Sequence, residues 1–420
     1  MKNMNNKNHW AVFLTDNANK QLLIQQLLSN KLPAVFEGFS GLKGVLFSAL
    51  SIKEIIEEEE RHDQVEVAAT ANRHLRSLSG GEQKKALLHY LLLQEPDFII
   101  ADNPFDNLDI DSQKKLLAML HDIGQRITII QLINRAIDYL PFIKNAVSVT
   151  DDNSIVRLNN IAGYIREQED KKIPLFNGTI PLSDHAYNTF NNPLIQFNNV
   201  SVQYEDRMIV NNICWQINAG EFWQLTGPNG AGKTTLLSMV TGDNPKGYGQ
   251  DLVLFGKRKG SGETVWSIKE KIGYFTSSIT DLFSRYNSVE QMVLSGFYDS
   301  VGLYIKPSDR KIRLANEWLA LIGYLPLKKK PFYLLSLGQQ RMILIVRAMV
   351  KYPPLLILDE PTAGLDDHNV IIITSLINKI AMESKTAVLY VSHRAEEGLN
   401  PDFIFELMPG ETGSTGKITK

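Results

Sequence analysis

Gly227-Pro228-Asn229-Gly230-Ala231-Gly232-Lys233-Thr234 is the stretch that decides how this chain is read. It follows an apolar run, Phe222–Leu225, and opens a helical pattern, Thr234–Val240. That strand–loop–helix setting is where a G-x-x-x-x-G-K-[ST] octet forms a phosphate cradle. Glycines let the backbone curl so that successive N–H groups face inward toward phosphate oxygens. The helix N-terminus adds partial positive charge. Lys233 is expected to reach the β- and γ-phosphates of a bound nucleotide, and the Thr234 hydroxyl to ligate Mg²⁺. The candidate nucleotide contacts are therefore Gly227, Pro228, Asn229, Gly230, Ala231, Gly232, Lys233, Thr234 and Thr235. The bland alternative is a glycine-rich turn that binds nothing, but the octet with its strand and helix would arise by chance in roughly one chain in a hundred of average composition.

Downstream, the apolar run Leu355–Leu358 ends in Asp359-Glu360. In open α/β sheets, ligands bind at the carboxyl ends of the strands, so this acidic pair belongs beside the phosphate loop. Asp359 is expected to hold Mg²⁺ and Glu360 to polarise an attacking water. His393 ends another apolar run, Ala387–Ser392, and is expected to sense the γ-phosphate. Tyr204, one strand pair before the loop, is a candidate to stack on adenine. Taken alone, a strand-end histidine also reads as a surface residue and a strand aromatic as core.

The same grammar occurs twice. Leu78-Ser79-Gly80-Gly81-Glu82-Gln83, Phe98–Asp102 and Asn107-Leu108-Asp109 are matched by Leu335-Ser336-Leu337-Gly338-Gln339-Gln340, Leu355–Asp359 and Gly364-Leu365-Asp366. A repeat of this length implies two homologous domains, not a solenoid. The 420 residues, 44% hydrophobic and 21% charged, suit two domains. The expected division is 1–160, a polar linker 161–192, and 193–420. Buried strands alternating with helices predict an α/β fold around a parallel sheet.

Bulk properties narrow the function. A formal net charge of -2 argues against whole-chain attraction to nucleic acid or anionic lipid. The one cysteine, Cys214, excludes an internal disulfide and fits a reducing compartment. No apolar run approaches the roughly 20 residues that span a bilayer. Trp10–Leu14 is too short for a signal-peptide core, so a cytoplasmic chain is expected, with peripheral placement at the inner face of the cell membrane as an option. The remaining histidines show no metal-ligand spacing, so no metal is expected beyond Mg²⁺.

Loop, signature, acidic strand, Leu-Asp turn and strand-end histidine, in that order, resemble the ABC ATPase family over nearly the whole chain. The resemblance implies two tandem ABC-type P-loop NTPase domains. Each would have a mixed, largely parallel core sheet flanked by helices, with an antiparallel β subdomain and a helical subdomain. It makes Gly227–Thr234 the Walker A loop, Leu335–Gln340 a signature, Leu355–Glu360 Walker B, Gly364–Asp366 the D-loop and His393 the switch histidine. Where the family's Q-loop glutamine falls, this chain has Ser277-Ser278. Trp223-Gln224-Leu225, Ser261–Trp266 and Gln339-Gln340-Arg341 make it most similar to the tandem ATP-binding proteins of the molybdate-transport and photorepair type.

Laid over the N-terminus, the family pattern makes Leu14-Thr15-Asp16-Asn17-Ala18-Asn19-Lys20-Gln21 a damaged loop. Its glycines are gone, Gln21 replaces the hydroxyl residue, and Asn103 replaces the Walker B glutamate. An amide cannot act as a general base. Asn134 stands in place of the switch histidine, and Lys20 alone reads equally as a surface lysine. The signature Ser79, Gly80, Gly81, Glu82, Gln83 is complete. In this family ATP lies between one domain's Walker A and the other's signature. The resemblance therefore implies one complete site, Walker A of the second domain with Ser79–Gln83 of the first, and one defective site.

The leading expectation is an ATPase that energises or regulates a membrane permease carried on another polypeptide, for molybdate or another oxyanion. The alternative is a soluble tandem ATPase acting on ribosomes or nucleic acid. A tandem chain can pair its own domains, so a monomer or weak oligomer is expected.

Overall fold

The computed structural model describes residues 8–15, 17–29, 31–62, 74–169, 176, 178–182, 192–277, 279, 283, 287–393 and 396–419. The chain divides into two compact units: residues 1–172 with Gly364–His368, and 173–363 with 369–420.

In the first unit the elements run β1 (Trp10–Leu14), α1 (Lys20–Leu28), β2 (Gly44–Phe47), α2 (Ala49–His62), α3 (Gly80–Leu93), β3 (Phe98–Asp102), α4 (Ile110–Gly124), β4 (Thr128–Ile133), β5 (Asn145–Val149), β6 (Ile155–Leu158) and α5 (Ile161–Glu169). Among the described residues they form one six-stranded sheet, ordered β2-β3-β4-β1-β5-β6. All neighbours are parallel except the β5–β6 hairpin. The runs of β1, β3 and β4 are apolar because both sheet faces are covered. Ala11, Phe13 and Ile99 pack in one buried cluster, Val12, Ile100 and Ile130 in the other.

The second unit opens with β7 (Ile195–Tyr204) and β8 (Arg207–Ile217). These are followed by β9 (Phe222–Thr226), α6 (Lys233–Val240), β10 (Leu252–Leu254), β11 (Lys257–Arg258), α7 (Val265–Lys269) and β12 (Ile272–Thr276). A helical stretch comes next, α8 (Val289–Ser295), α9 (Asp309–Leu321) and α10 (Leu337–Met349). The unit closes with β13 (Leu355–Asp359), α11 (Asp367–Glu383, from Asn369 onward), β14 (Ala387–Val391), β15 (Phe403–Met408) and β16 (Thr415–Ile418). Its core sheet is ordered β12-β13-β14-β9-β15-β16, and a four-stranded antiparallel sheet, β11-β10-β7-β8, accompanies it. Among the described residues that antiparallel sheet belongs to the second unit alone. No described helix is long and apolar enough to cross a membrane.

Two local readings change. The charged stretch expected as the start of a linker is helix α5 through Glu169; its Ile161, Tyr164 and Ile165 pack on the first unit's core. An amphipathic pattern of one apolar residue every three to four positions was hidden there by its charges. Of the acidic run Glu57–Glu60, read as a solvated face, Glu59 is buried at 5% exposure and accepts a hydrogen bond from Leu75 N–H at 2.9 Å.

Candidate ATP site

In the second unit the loop between β9 and α6 has the backbone that its sequence demands. Gly227, Gly230 and Gly232 sit at φ 144°, 79° and 98°, a region that side-chain-bearing residues rarely adopt. Two of them are also packed tightly. A Cβ on Gly227 would lie 2.8 Å from the Leu407 carbonyl, and one on Gly232 would lie 2.6 Å from a Val210 methyl. Gly230 has nothing within 4 Å of that position, so this side of the loop is open. Gly232 caps α6, and Lys233, its first residue, donates from Nζ to the carbonyls of Gly227 at 2.6 Å and Pro228 at 3.1 Å. The lysine ammonium is thus held over the loop it serves.

Sheet register brings the rest alongside. β14 pairs Val391 with Leu225 of β9 and with Asp359 of β13, so the three carboxyl ends form one rim. Glu360 follows in left-handed backbone, φ 50°, fixed by its N–H donating to Val391 O at 2.9 Å. Strain of this kind in a non-glycine residue persists only where its surroundings impose it. The Glu360 carboxylate lies 3.0 Å from His393 Nδ1, and His393 Nε2 is buried with no hydrogen-bond partner among the described residues. Burial first, then the neighbouring Glu360, raise the Asp359 carboxyl from 3.8 to about 6, with Lys233 opposing them. A buried carboxyl so placed is poised to take up positive charge. Hard oxygen donors, the Asp359 carboxylate and Thr234 hydroxyl, suit Mg²⁺.

Tyr204 ends β7 and is 41% exposed. Its hydroxyl accepts from Asn244 Nδ2 at 2.8 Å, a partner that sequence reading did not single out. Asn244 precedes Pro245, a turn signal that says nothing of a side chain's partners. Of the Q-loop pair, Ser277 is described and Ser278 lies outside the described residues.

In the first unit the corresponding loop joins β1 to α1 and is tied to its own neighbours. Lys20 Nζ forms an ion pair with Asp102 Oδ1 at 3.0 Å. Thr15 Oγ1 donates to Val149 O at 3.3 Å, Asn17 Nδ2 to Asp151 Oδ2 at 3.2 Å, and Asn19 N–H to Asn153 Oδ1 at 2.6 Å. Asp16 lies outside the described residues. Asn103 takes up the same left-handed backbone as Glu360, φ 41°, with its N–H on Leu132 O at 2.9 Å. Asn134 N–H donates to Asn103 Oδ1 at 3.1 Å.

The first unit's signature is a helix cap. Ser79 and Glu82 form a capping box at the start of α3: Glu82 Oε2 accepts from the Ser79 N–H at 2.8 Å. Gln83 Nε2 braces the preceding turn through Leu75 O at 3.0 Å. Gly81 is confined, a Cβ there meeting Ser112 Oγ at 3.0 Å, whereas at Gly80 the nearest atom is 3.9 Å away. The second unit's signature repeats the cap with Ser336 and Gln339, but its open position carries Leu337, 37% exposed. Gly338 is the confined one, its Cβ position 2.1 Å from Asn369 Oδ1.

Fold and loop together define a P-loop nucleotide-binding protein of the ABC type. The family model described as ABC transporter matches residues 210–363. The chain is 42% identical over 349 residues to the ABC transporter ATP-binding protein ModF of Escherichia coli (strain K12), covering 80% of this chain and 70% of that protein. It is 35% identical over 230 residues to an uncharacterized ABC transporter ATP-binding protein, YlmA, of Bacillus subtilis (strain 168), covering 54% of this chain and 86% of that one. Among solved structures, one titled RNase-L Inhibitor shares the fold at TM-score 0.59 and 16% identity, covering 97% of this chain and 85% of that one. The chain belongs to the family of ABC ATP-binding proteins.

Proposed function

We propose that the chain is a tandem ABC ATPase that hydrolyses ATP at one composite site. The observation that carries this reading is the second unit's rim, where Glu360 and His393 meet at 3.0 Å beside a complete phosphate loop. Gly227–Thr235 would cradle the triphosphate. Lys233 would leave its loop carbonyls for the β- and γ-phosphate oxygens, and Thr234 and Asp359 would hold Mg²⁺. The metal, when bound, neutralises phosphate charge and so favours attack at phosphorus. Glu360 takes a proton from the attacking water, and His393 holds the carboxylate in place through Nδ1. The first domain, 1–160, would contribute Ser79–Gln83, whose helix-start N–H groups are suited to the γ-phosphate. The second domain is 193–420.

Nucleotide binding and loss would then switch the two domains between states of different affinity for a partner. We place that partner in a membrane as a permease, which would hold this chain at the membrane surface. ModF is named as an ABC transporter protein, and ZurA of Listeria monocytogenes, 33% identical over 204 residues, as part of a zinc uptake system. An oxyanion such as molybdate is the cargo that the resemblance to tandem ATP-binding proteins of the molybdate-transport type suggests. The test is affinity capture of a tagged Glu360→Gln variant, trapped with Mg-ATP, from membrane and soluble fractions of its own cells. Enrichment of a permease supports the reading and identifies the cargo class. Enrichment of ribosomal proteins or nucleic acid would replace it with a soluble switch.

A further inference from the structure

Asn244 lies just beyond the phosphate helix, 5% exposed, with every polar group of its side chain engaged. Nδ2 donates to the Tyr204 hydroxyl at 2.8 Å and to Ser238 Oγ at 3.1 Å, while Oδ1 accepts from Lys246 N–H at 3.0 Å. Its own N–H donates to the Ser238 carbonyl at 3.0 Å. Ser238 Oγ in turn donates to the Thr235 carbonyl at 2.8 Å, one residue past Thr234. An unbroken hydrogen-bonded chain therefore runs from the Tyr204 hydroxyl through Asn244 and Ser238 to the first turn of α6. The turn that Asn244 fixes also sets Lys246, whose Nζ stands 5.8 Å from the centroid of the Tyr204 ring. One face of that ring carries a cation at the outer limit of cation–π range, which leaves the other face for a flat, electron-rich ring.

We infer that Asn244 is a positioning residue for base recognition. It fixes the Tyr204 ring at a set distance from the phosphate loop, so that a purine and a triphosphate are gripped by one rigid frame. The inference rests on the proposed ATP site and deepens it: Tyr204 supplies the contact, and Asn244 determines where that contact is. A ring held in place needs no ordering when the base arrives, and preorganisation of this kind appears as affinity.

The test is calorimetric binding of Mg-ATP and, separately, of magnesium tripolyphosphate, which has the phosphates and no base. Wild type is compared with Tyr204→Phe, Asn244→Leu and the double variant. Tyr204→Phe keeps the ring and deletes only the bond to Asn244. Tyr204→Phe should weaken Mg-ATP binding roughly fivefold, the worth of one neutral hydrogen bond, and leave tripolyphosphate binding unchanged; Asn244→Leu, which also removes the bonds to Ser238 and Lys246, should weaken Mg-ATP binding at least as much and more than it weakens tripolyphosphate binding. The double variant should be no weaker than Asn244→Leu, because both changes remove the same bond. Wild-type affinity in Tyr204→Phe, or equal losses for both ligands, would overturn the inference and leave Asn244 a brace of the phosphate helix. A wild-type chain that bound neither ligand would overturn the ATP site itself, and this inference with it.

Discussion

The two core sheets are the same object with different equipment. Strand for strand, β2-β3-β4-β1-β5-β6 of the first unit repeats β12-β13-β14-β9-β15-β16 of the second. Even the left-handed residue after the acidic strand recurs, Asn103 in one and Glu360 in the other, each with its N–H on the neighbouring strand at 2.9 Å. The loops diverge. In the second unit three left-handed glycines shape an open cradle. In the first, Lys20 is spent on Asp102, and Thr15, Asn17 and Asn19 are bonded to Val149, Asp151 and Asn153. The fold depends on apolar runs buried on both faces, whereas the groups suited to phosphate lie in a few loop residues that can change without disturbing it.

The comparison can be broken at several points. Glu360→Gln should lower turnover by about 10²–10⁴, the usual worth of a positioned general base. Asn103→Glu, which restores the missing acid to the first unit, should restore nothing. Steady-state phosphate release checks both. Gly80→Leu copies Leu337 into the first signature at a position with room for a side chain. It should cost about tenfold or more in turnover by covering N–H donors, while Leu337→Gly leaves turnover unchanged. A result the other way round would assign the working signature to the second unit.

Breaking the ion pair by Lys20→Met should leave hydrolysis unaltered. It should lower the stability of the first unit by no more than about 1 kcal/mol, since the lysine is partly exposed and screened. Chemical denaturation of the chain, compared with wild type, reads that loss. A fall in hydrolysis would mean that Lys20 still serves a phosphate.

The backbone of the second unit's candidate site was largely legible, because the octet forces its own conformation and its strand and helix neighbours are apolar at the right periods. The pairing of Glu360 with His393 was legible only as two separate strand ends; the register that joins them is a property of the sheet. What escaped reading was set by tertiary contact. Asn244 looks like a turn residue until Tyr204 is placed beside it. Glu59 looks solvated until the Leu75 N–H needs an acceptor, and a buried donor without one is costly. Helix α5 was masked by its charges, although Tyr164 packs on Phe13 at 4.9 Å between ring centroids. Lys20 was legible as a lone survivor, and its use as an internal counter-ion was not.

The central claim is one working ATP site per chain. Titration of Mg-ATP into the Glu360→Gln variant by calorimetry tests it most directly, because hydrolysis is suppressed and stoichiometry is read from the inflection. One tight site per chain is the predicted result. Two sites of equal affinity would contradict the account, since the first unit's loop would then be binding nucleotide despite the bonds that occupy it.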